Sequence, residues 1–125
     1  MRTPLSRVLG LGSAKDGTGH WWGQRVSAVA LVVLTIWLLA SLVSLNDSSH
    51  AQVVAWVASP WNAIALVLFL SSMFYHSYLG IQVVVEDYIH HDGVKVVTLI
   101  LSGFLHALLV VAGVFAVLRI ALGGQ

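Results

Sequence analysis

A histidine and an Asp-Tyr pair stand at two levels of one long apolar segment. His76 lies inside a 26-residue run without charged side chains, residues 60–85, and Asp87 and Tyr88 follow directly after it. A run of this length predicts a transmembrane helix, and an ionisable residue inside such a helix indicates a functional site. Asp87 comes 11 residues after His76, about three helical turns, so the two side chains share a face and lie about 16 Å apart along the axis. The segment therefore predicts a buried imidazole near mid-membrane and a carboxylate and a phenol at the membrane surface.

Two interpretations of His76 follow from its surroundings. Burial favours the neutral imidazole, which is the form that binds haem iron, and the small residues Ser72 and Gly80, one turn away on either side, leave room for a flat ligand. Alternatively, His76 packs between helices and is hydrogen-bonded to a serine. His106 lies at a similar depth in the next apolar run. The two histidines are therefore either an intrachain bis-histidine haem site or, if His106 only packs within the bundle, an unrelated pair.

The composition is that of an integral membrane protein. The chain has 125 residues, of which 58% are hydrophobic and only 9% are charged, whereas soluble domains carry about 25% charged residues. It contains no cysteine, which excludes a disulfide framework, a cysteine zinc site and thiolate ligands for an iron–sulfur cluster. The net charge of +1, without a basic run, does not suit nucleic acid. Redox chemistry here must use histidines or a cofactor held with other chains.

Three charge-free runs organise the chain as one all-α domain, a bundle of three transmembrane helices at residues 25–122. A polar, glycine-rich lead at residues 1–24 precedes the bundle, and Asp92 is expected to cap the third helix. The predicted helices are about 25–45, 60–86 and 94–120, joined by short connections.

Lysine and arginine are distributed unequally between the two sides of the membrane. Five lie in the lead, at the start of the first helix and in the second connection, against Arg119 alone on the other side. The positive-inside rule therefore predicts that the N-terminus lies in the cytoplasm or the mitochondrial matrix. The lead lacks the apolar core of a secretory signal, and Gly10-Leu11-Gly12 has neither the preceding strand nor the third glycine of a dinucleotide-binding loop. The five basic residues are Arg2, Arg7, Lys15, Arg25 and Lys95.

Four residues expected at the inner membrane edge each have a structural and a functional interpretation. Arg25 is an anchor that reaches the headgroups or a clamp for an anionic group such as a haem propionate, and His20 has the same two roles. Tyr88 is an interfacial aromatic or a hydrogen-bond donor to a quinone carbonyl. Asp87 is unfavourable at a helix C-terminus, which suggests a cationic partner such as an arginine. We expect Asp87 and Tyr88 to lie near Arg25 and His20.

Two motifs resemble one protein family. The first resembles the second helix of the hydrophobic membrane anchor of succinate dehydrogenase (complex II): His76-x10-Asp87-Tyr88, with Gly80 and Gln82 between. The second resembles the start of that family's first helix: Arg25-x-Ser27-Ala28. The size, the three spans and the inside N-terminus are also similar. The lead resembles the alphaproteobacterial branch through Gly10-Leu11-Gly12-Ser13-Ala14.

The resemblance implies a multisubunit enzyme of the bacterial inner membrane. In that family, the hydrophobic anchor pairs with a second three-helix anchor subunit, and the pair holds one haem b and a ubiquinone site beneath the soluble flavoprotein and iron–sulfur subunits. Electrons from succinate would pass through those partners to ubiquinone. The chain itself would have no catalytic residue and no flavin or dicarboxylate active site.

The resemblance also implies roles for individual residues. His76 would be one axial haem ligand, with the second anchor subunit supplying the other, and Arg25 and His20 would contact the haem propionates. Tyr88 would donate a hydrogen bond to the quinone, and Asp87 would pair with an arginine of the second anchor subunit. Two other functions remain open from the residues alone. One is a self-contained b-type cytochrome that uses His76 and His106, and the other is a cofactor-free membrane assembly protein.

Overall fold

The computed structural model describes residue 4 and residues 14–123. Four helices make up this part of the chain, and no strand occurs in it. Three of the helices are long and apolar enough to cross a membrane, which confirms the all-α class and the three spans. Much of the predicted lead, including Arg2, Arg7 and Gly10-Leu11-Gly12, lies outside the described residues. The helices are α1 (Ala14–Ser44), α2 (His50–Ala58), α3 (Pro60–Tyr88) and α4 (Asp92–Ala121).

The first helix begins well before the predicted span. α1 starts at Ala14, whereas the sequence predicts a helix from about residue 25. The glycines of this segment lower its helix propensity by about 1 kcal/mol each relative to alanine. However, no proline lies between residues 5 and 44 to interrupt the hydrogen bonding. The second half of the predicted lead is therefore a helical extension of the first span.

The connection between the first two spans contains a helix where the sequence predicts a loop. α2 begins with a capping box, in which the Gln52 amide N–H donates to Ser49 Oγ and the Ser49 amide N–H donates to Gln52 Oε1 at 2.7 Å. Ser59 ends α2 and is also the N-cap of α3, with Pro60 at the first helical position, where its missing N–H removes no hydrogen bond. A single residue thus separates the two helices.

The three spanning helices form a row with α3 in the middle. α3 packs against both α1 and α4, whereas no α-carbons of α1 and α4 among the described residues come within 8 Å of each other. At the far end of the row, α2 lies against α3 and α4, and Trp56 stacks on Trp37 of α1 with ring centroids 5.6 Å apart. Only 6–11% of the most apolar window of each span is buried. Lipid or other protein chains must cover the two faces of this layer.

The contact between α1 and α3 is close at one glycine. A Cβ atom on Gly23 would lie 2.6 Å from the hydroxyl oxygen of Tyr75 and 3.3 Å from Leu79 Cδ1. Small residues allow such close approach in membrane helices, where packing and hydrogen bonding drive association. Gly23 therefore sets the spacing between α1 and α3 one turn before Ser27.

The cap of the last helix differs from the prediction. The sequence predicts Asp92 as the cap of α4, but Asp92 is the first residue of the helix, and His91 is the N-cap. His91 Nδ1 accepts a hydrogen bond from the Val94 amide at 3.4 Å. The carboxylate of Asp92 in the first turn still complements the positive end of the helix dipole.

Candidate functional site

His76 lies in the middle of α3 and is half-buried against α1. Its Nδ1 atom is 3.0 Å from the hydroxyl oxygen of Ser27. The side chain of Ser27 is only 5% exposed, and its Oγ donates to the backbone carbonyl of Gly23 at 2.7 Å. The packing interpretation of His76 is therefore right in one respect, because a serine does hold one of its ring nitrogens.

The other ring nitrogen of His76 is free. Nε2 makes no hydrogen bond to any described residue, and Gln24 Oε1 is the only unpartnered side-chain nitrogen or oxygen that the described chain encloses. Nε2 of His76 therefore lies at the surface of the helix layer. A nitrogen in this position can bind a group that sits outside the chain.

His106 is the opposite case. It is 8% exposed, and both of its ring nitrogens have partners within the chain. Nδ1 lies 2.7 Å from the carbonyl oxygen of Ser102, and Nε2 lies 3.1 Å from Ser77 Oγ on α3. Because one neutral imidazole has one donor and one acceptor, these two contacts use its full capacity. The structure thus places His106 in the packing role and leaves it no nitrogen for a metal.

No cluster of metal ligands occurs among residues 17–123. The described residues contain no group of three or more His, Asp, Glu or Cys side chains that could hold a metal ion.

Among the cavities along α3, two are the best formed in the described part of the chain, and His76 lines neither of these two. One, of about 430 Å³, lies between α3 and α4 beside Tyr78 and His106. The other, of about 350 Å³, lies between α1 and α3 beside Ser27 and Ser72. Both are lined by Tyr75.

The end of α3 presents Asp87 and Tyr88. Tyr88 is the last residue of the helix and is 77% exposed. Asp87 is also exposed and forms no ion pair with any residue from 17 to 123. The neighbouring Glu86 accepts a hydrogen bond from Gln82. Both candidate side chains thus remain available to groups outside the chain.

Arg25 lies nearer in depth to His76 than to Tyr88, contrary to expectation. It is two residues before Ser27, which contacts His76, and its guanidinium stands over the Trp21 ring at 5.4 Å. Tyr88 is 12 residues beyond His76, or about 18 Å along the axis. His20 is half-buried. No hydrogen bond or ion pair joins Arg25 or His20 to Asp87, so the four residues do not form one cluster.

Sequence reasoning missed the role of Ser27. The motif Arg25-x-Ser27-Ala28 contains it, but nothing in one sequence shows which residue of another helix it meets. The spacing of Gly23 and Ser27, one turn apart, is a detectable signal because small residues at this spacing mark close helix contacts. Gln24, between them, was also missed. Its Oε1 is buried without a hydrogen-bond partner, which is unfavourable in a membrane.

The fold and this site define a multi-pass helical membrane protein with a mid-helix histidine whose Nε2 has no hydrogen-bond partner among the described residues. Residues 1–118 match the model of the succinate dehydrogenase/fumarate reductase transmembrane subunit. The chain is 34% identical over 117 residues to the succinate dehydrogenase hydrophobic membrane anchor subunit of Rickettsia bellii, covering 93% of each chain. It is 33% identical over 121 residues to the protein of the same description from Paracoccus denitrificans, covering 97% of this chain and 93% of that one. No solved structure matches the chain.

The chain therefore belongs to the succinate dehydrogenase/fumarate reductase transmembrane subunits and is a membrane anchor subunit of succinate dehydrogenase. This confirms the family resemblance, including its alphaproteobacterial character. As an anchor subunit it is part of an oxidoreductase complex with other succinate dehydrogenase subunits.

Proposed function

We propose that this chain helps to bind one haem b and ubiquinone, and that electrons from the soluble flavoprotein and iron–sulfur subunits reach the quinone at this anchor. The observation that carries the proposal is Nε2 of His76, in the middle of α3, which has no hydrogen-bond partner among the described residues and is not enclosed by them. A neutral imidazole nitrogen is a standard haem ligand. When bound, the haem iron would carry single electrons, and the quinone would take up two electrons and two protons.

The haem is proposed to lie between this chain and a second three-helix anchor subunit, the partner anchor. His76 supplies one axial ligand. Because both nitrogens of His106 are engaged within the bundle, the second ligand comes from the partner anchor. This favours the shared site over a self-contained cytochrome with His76 and His106 as its two ligands.

Arg25 and His20 are proposed to contact the haem propionates. Arg25 is exposed and lies near the depth of His76. This depth suits contact with a haem propionate better than contact with a lipid headgroup at the level where α3 ends. A guanidinium binds a carboxylate through paired charge-assisted hydrogen bonds. The Trp21 ring beneath it, at 5.4 Å, adds a cation–π contact that limits where the guanidinium can go. His20 lies more than one turn closer to the inner end of α1.

The quinone is proposed to bind at the end of α3. The exposed phenol of Tyr88 donates a hydrogen bond to a quinone carbonyl, and Asp87 supports the site by pairing with an arginine of the partner anchor. The absence of a partner for Asp87 among residues 17–123 supports this assignment, because an unpaired acid at a helix C-terminus is unfavourable. The positive-inside count puts this end, and the N-terminus, on the cytoplasmic side of the bacterial inner membrane, where the soluble subunits would dock.

The test compares two histidine variants in the purified complete complex. His76→Leu is expected to abolish bis-histidine ligation while the helix still inserts, since leucine suits lipid. His106→Gln is the matched control, because it changes a histidine at similar depth that has no free nitrogen. The haem absorption spectrum should change only in the first variant. Loss in both variants would instead favour the self-contained cytochrome, and a wild-type complex without haem would overturn the haem part of the proposal.

A further inference from the structure

The hydroxyl group of Ser27 decides which nitrogen of His76 carries the proton. A hydroxyl has one hydrogen, and Ser27 Oγ directs it to a backbone carbonyl of its own helix: Gly23 O lies at 2.7 Å, and Gln24 O at 3.1 Å. The lone pairs of Oγ are then left for His76 Nδ1 at 3.0 Å. Nδ1 must be the N–H donor of this contact, because two acceptors facing each other would repel. His76 is therefore the Nδ1–H tautomer, and Nε2 carries the free electron pair.

The position of this contact between the helices also fixes the direction of the ring. Ser27 is only 5% exposed, although it borders the cavity between α1 and α3. Gly23 lies one turn earlier on α1. There the backbone of α1 is so close to Tyr75 and Leu79 of α3 that even a Cβ atom on residue 23 would overlap the Tyr75 hydroxyl. That close packing holds the backbones of α1 and α3 together one turn from the contact between Ser27 and His76.

We propose that Ser27 is a positioning residue for His76: its hydroxyl holds the imidazole as the Nδ1–H tautomer with Nε2 directed out of the layer, and it strengthens Nε2 as a ligand. The inference rests on the proposed haem role of His76. Histidines that bind metals commonly donate their second N–H to an acceptor in the protein, which orients the ring and raises its basicity. Ser27, itself oriented by the carbonyl of Gly23, is such an acceptor.

The experiment uses the complete complex with substitutions at residue 27. Ser27→Ala removes the acceptor, so His76 becomes a weaker donor that stabilises ferric iron less. The midpoint potential of the haem should rise, and its low-spin ferric electron paramagnetic resonance signal should change. The affinity for haem should also fall by about tenfold or more, the range typical for loss of such supporting contacts. Ser27→Thr retains the hydroxyl and is expected to restore the wild-type potential.

The matched control is Ser41→Ala, on the same helix. Ser41 Oγ donates to the Trp37 carbonyl four residues earlier at 2.8 Å, as Ser27 Oγ does to that of Gly23, but it contacts no histidine. If the potential changed merely because a serine that donates to a carbonyl of its own helix was lost, both alanine variants would show the change. Only the variant at residue 27 should shift the potential.

The outcomes separate this inference from the proposed function. If Ser27→Ala keeps the wild-type potential and resonance signal while His76→Leu loses the axial ligand, the role of Ser27 is wrong and the haem role of His76 stands. A wild-type complex without haem overturns both. If the complex with Ser27→Ala does not assemble, Ser27→Cys replaces it as the test, because a thiol has a similar size but is a much weaker hydrogen-bond acceptor. An unshifted potential in that variant also overturns the role of Ser27.

Discussion

His76 is followed directly by Ser77, which binds His106 of the neighbouring helix at 3.1 Å, so the two mid-membrane histidines share a depth but not a site. Successive residues of a helix are rotated by about 100°. His76 therefore faces α1 through Ser27, while Ser77 faces α4. One histidine has a free nitrogen, and the other has none. This difference underlies the assignment of a ligand role to His76 and a packing role to His106.

His106→Leu should weaken the bundle without affecting the haem. The substitution removes both hydrogen bonds of the ring and leaves Ser77 without this partner. Side-chain hydrogen bonds between membrane helices contribute about 0.6 kcal/mol on average and up to ~1.7 kcal/mol. We expect a loss of about 1–2 kcal/mol in the unfolding free energy of the complex in denaturing detergent. Ser77→Ala, which deletes one bond only, should lose less. An unaltered stability in both variants would contradict the packing role.

Gly23→Ala should loosen the α1–α3 contact, because the added methyl group would overlap the Tyr75 hydroxyl. Overpacking of a tight core costs about 1–3 kcal/mol, and we expect the lower end here because the overlapping atom is the end of the half-exposed Tyr75 side chain. Tyr75→Phe in the same chain should recover part of the loss. Thermal unfolding of the complex measures both effects. Gly19→Ala is the control, since nothing lies within 4 Å of a methyl group there. Equal destabilisation at residues 19 and 23 would argue against a close helix crossing.

The chain made without its partner subunits should be unstable or aggregate in mild detergent. Its three spans form a single row with most of their apolar surface exposed, and the face with His76 and Asp87 carries polar groups that need partners in lipid. Size-exclusion chromatography of the separately expressed chain measures this. A monodisperse, haem-free monomer would show that the layer is sufficient by itself.

Tyr88→Phe should lower succinate:quinone activity while succinate oxidation by a soluble dye, which accepts electrons upstream, stays near normal. The ring and its interfacial anchoring persist, and only one hydrogen bond to the quinone is lost. Such a bond contributes about 0.5–1.5 kcal/mol between neutral partners, and more where charge develops on the oxygen. The expected loss in kcat/KM for quinone is therefore roughly severalfold to more than tenfold.

Steady-state assays with both acceptors on the same preparation provide the internal control for this variant. The quinone activity of His76→Leu offers a comparison. Residue 76 lies about 18 Å from Tyr88 along the helix, so this variant should keep part of its quinone reduction. Wild-type quinone kinetics in Tyr88→Phe would leave Tyr88 as an interfacial aromatic only.

Much of the fold could be predicted from composition along the chain. Long runs without charge must lie in the membrane, so α3 and α4 begin and end within about two residues of the predicted bounds. Helical periodicity likewise put His76 and Asp87 on one face. The early start of α1 was missed because a glycine-rich segment is a weak helix signal on its own. The helix α2 was missed although the sequence contains its signal, because Ser49 and Gln52 form a capping box before a mostly apolar run.

The partners of the candidate residues were decided only by the tertiary structure. The sequence indicated that His76 binds either a ligand or a serine, and that His106 stands at a similar depth. Which nitrogen is free depends on the rotation of α3 relative to α1 and α4, which is set by close contacts such as Gly23 against Tyr75. These contacts join residues some fifty positions apart, and helical periodicity carries no information about them. For that reason Ser27, the residue that orients His76, emerged only from the packed helices.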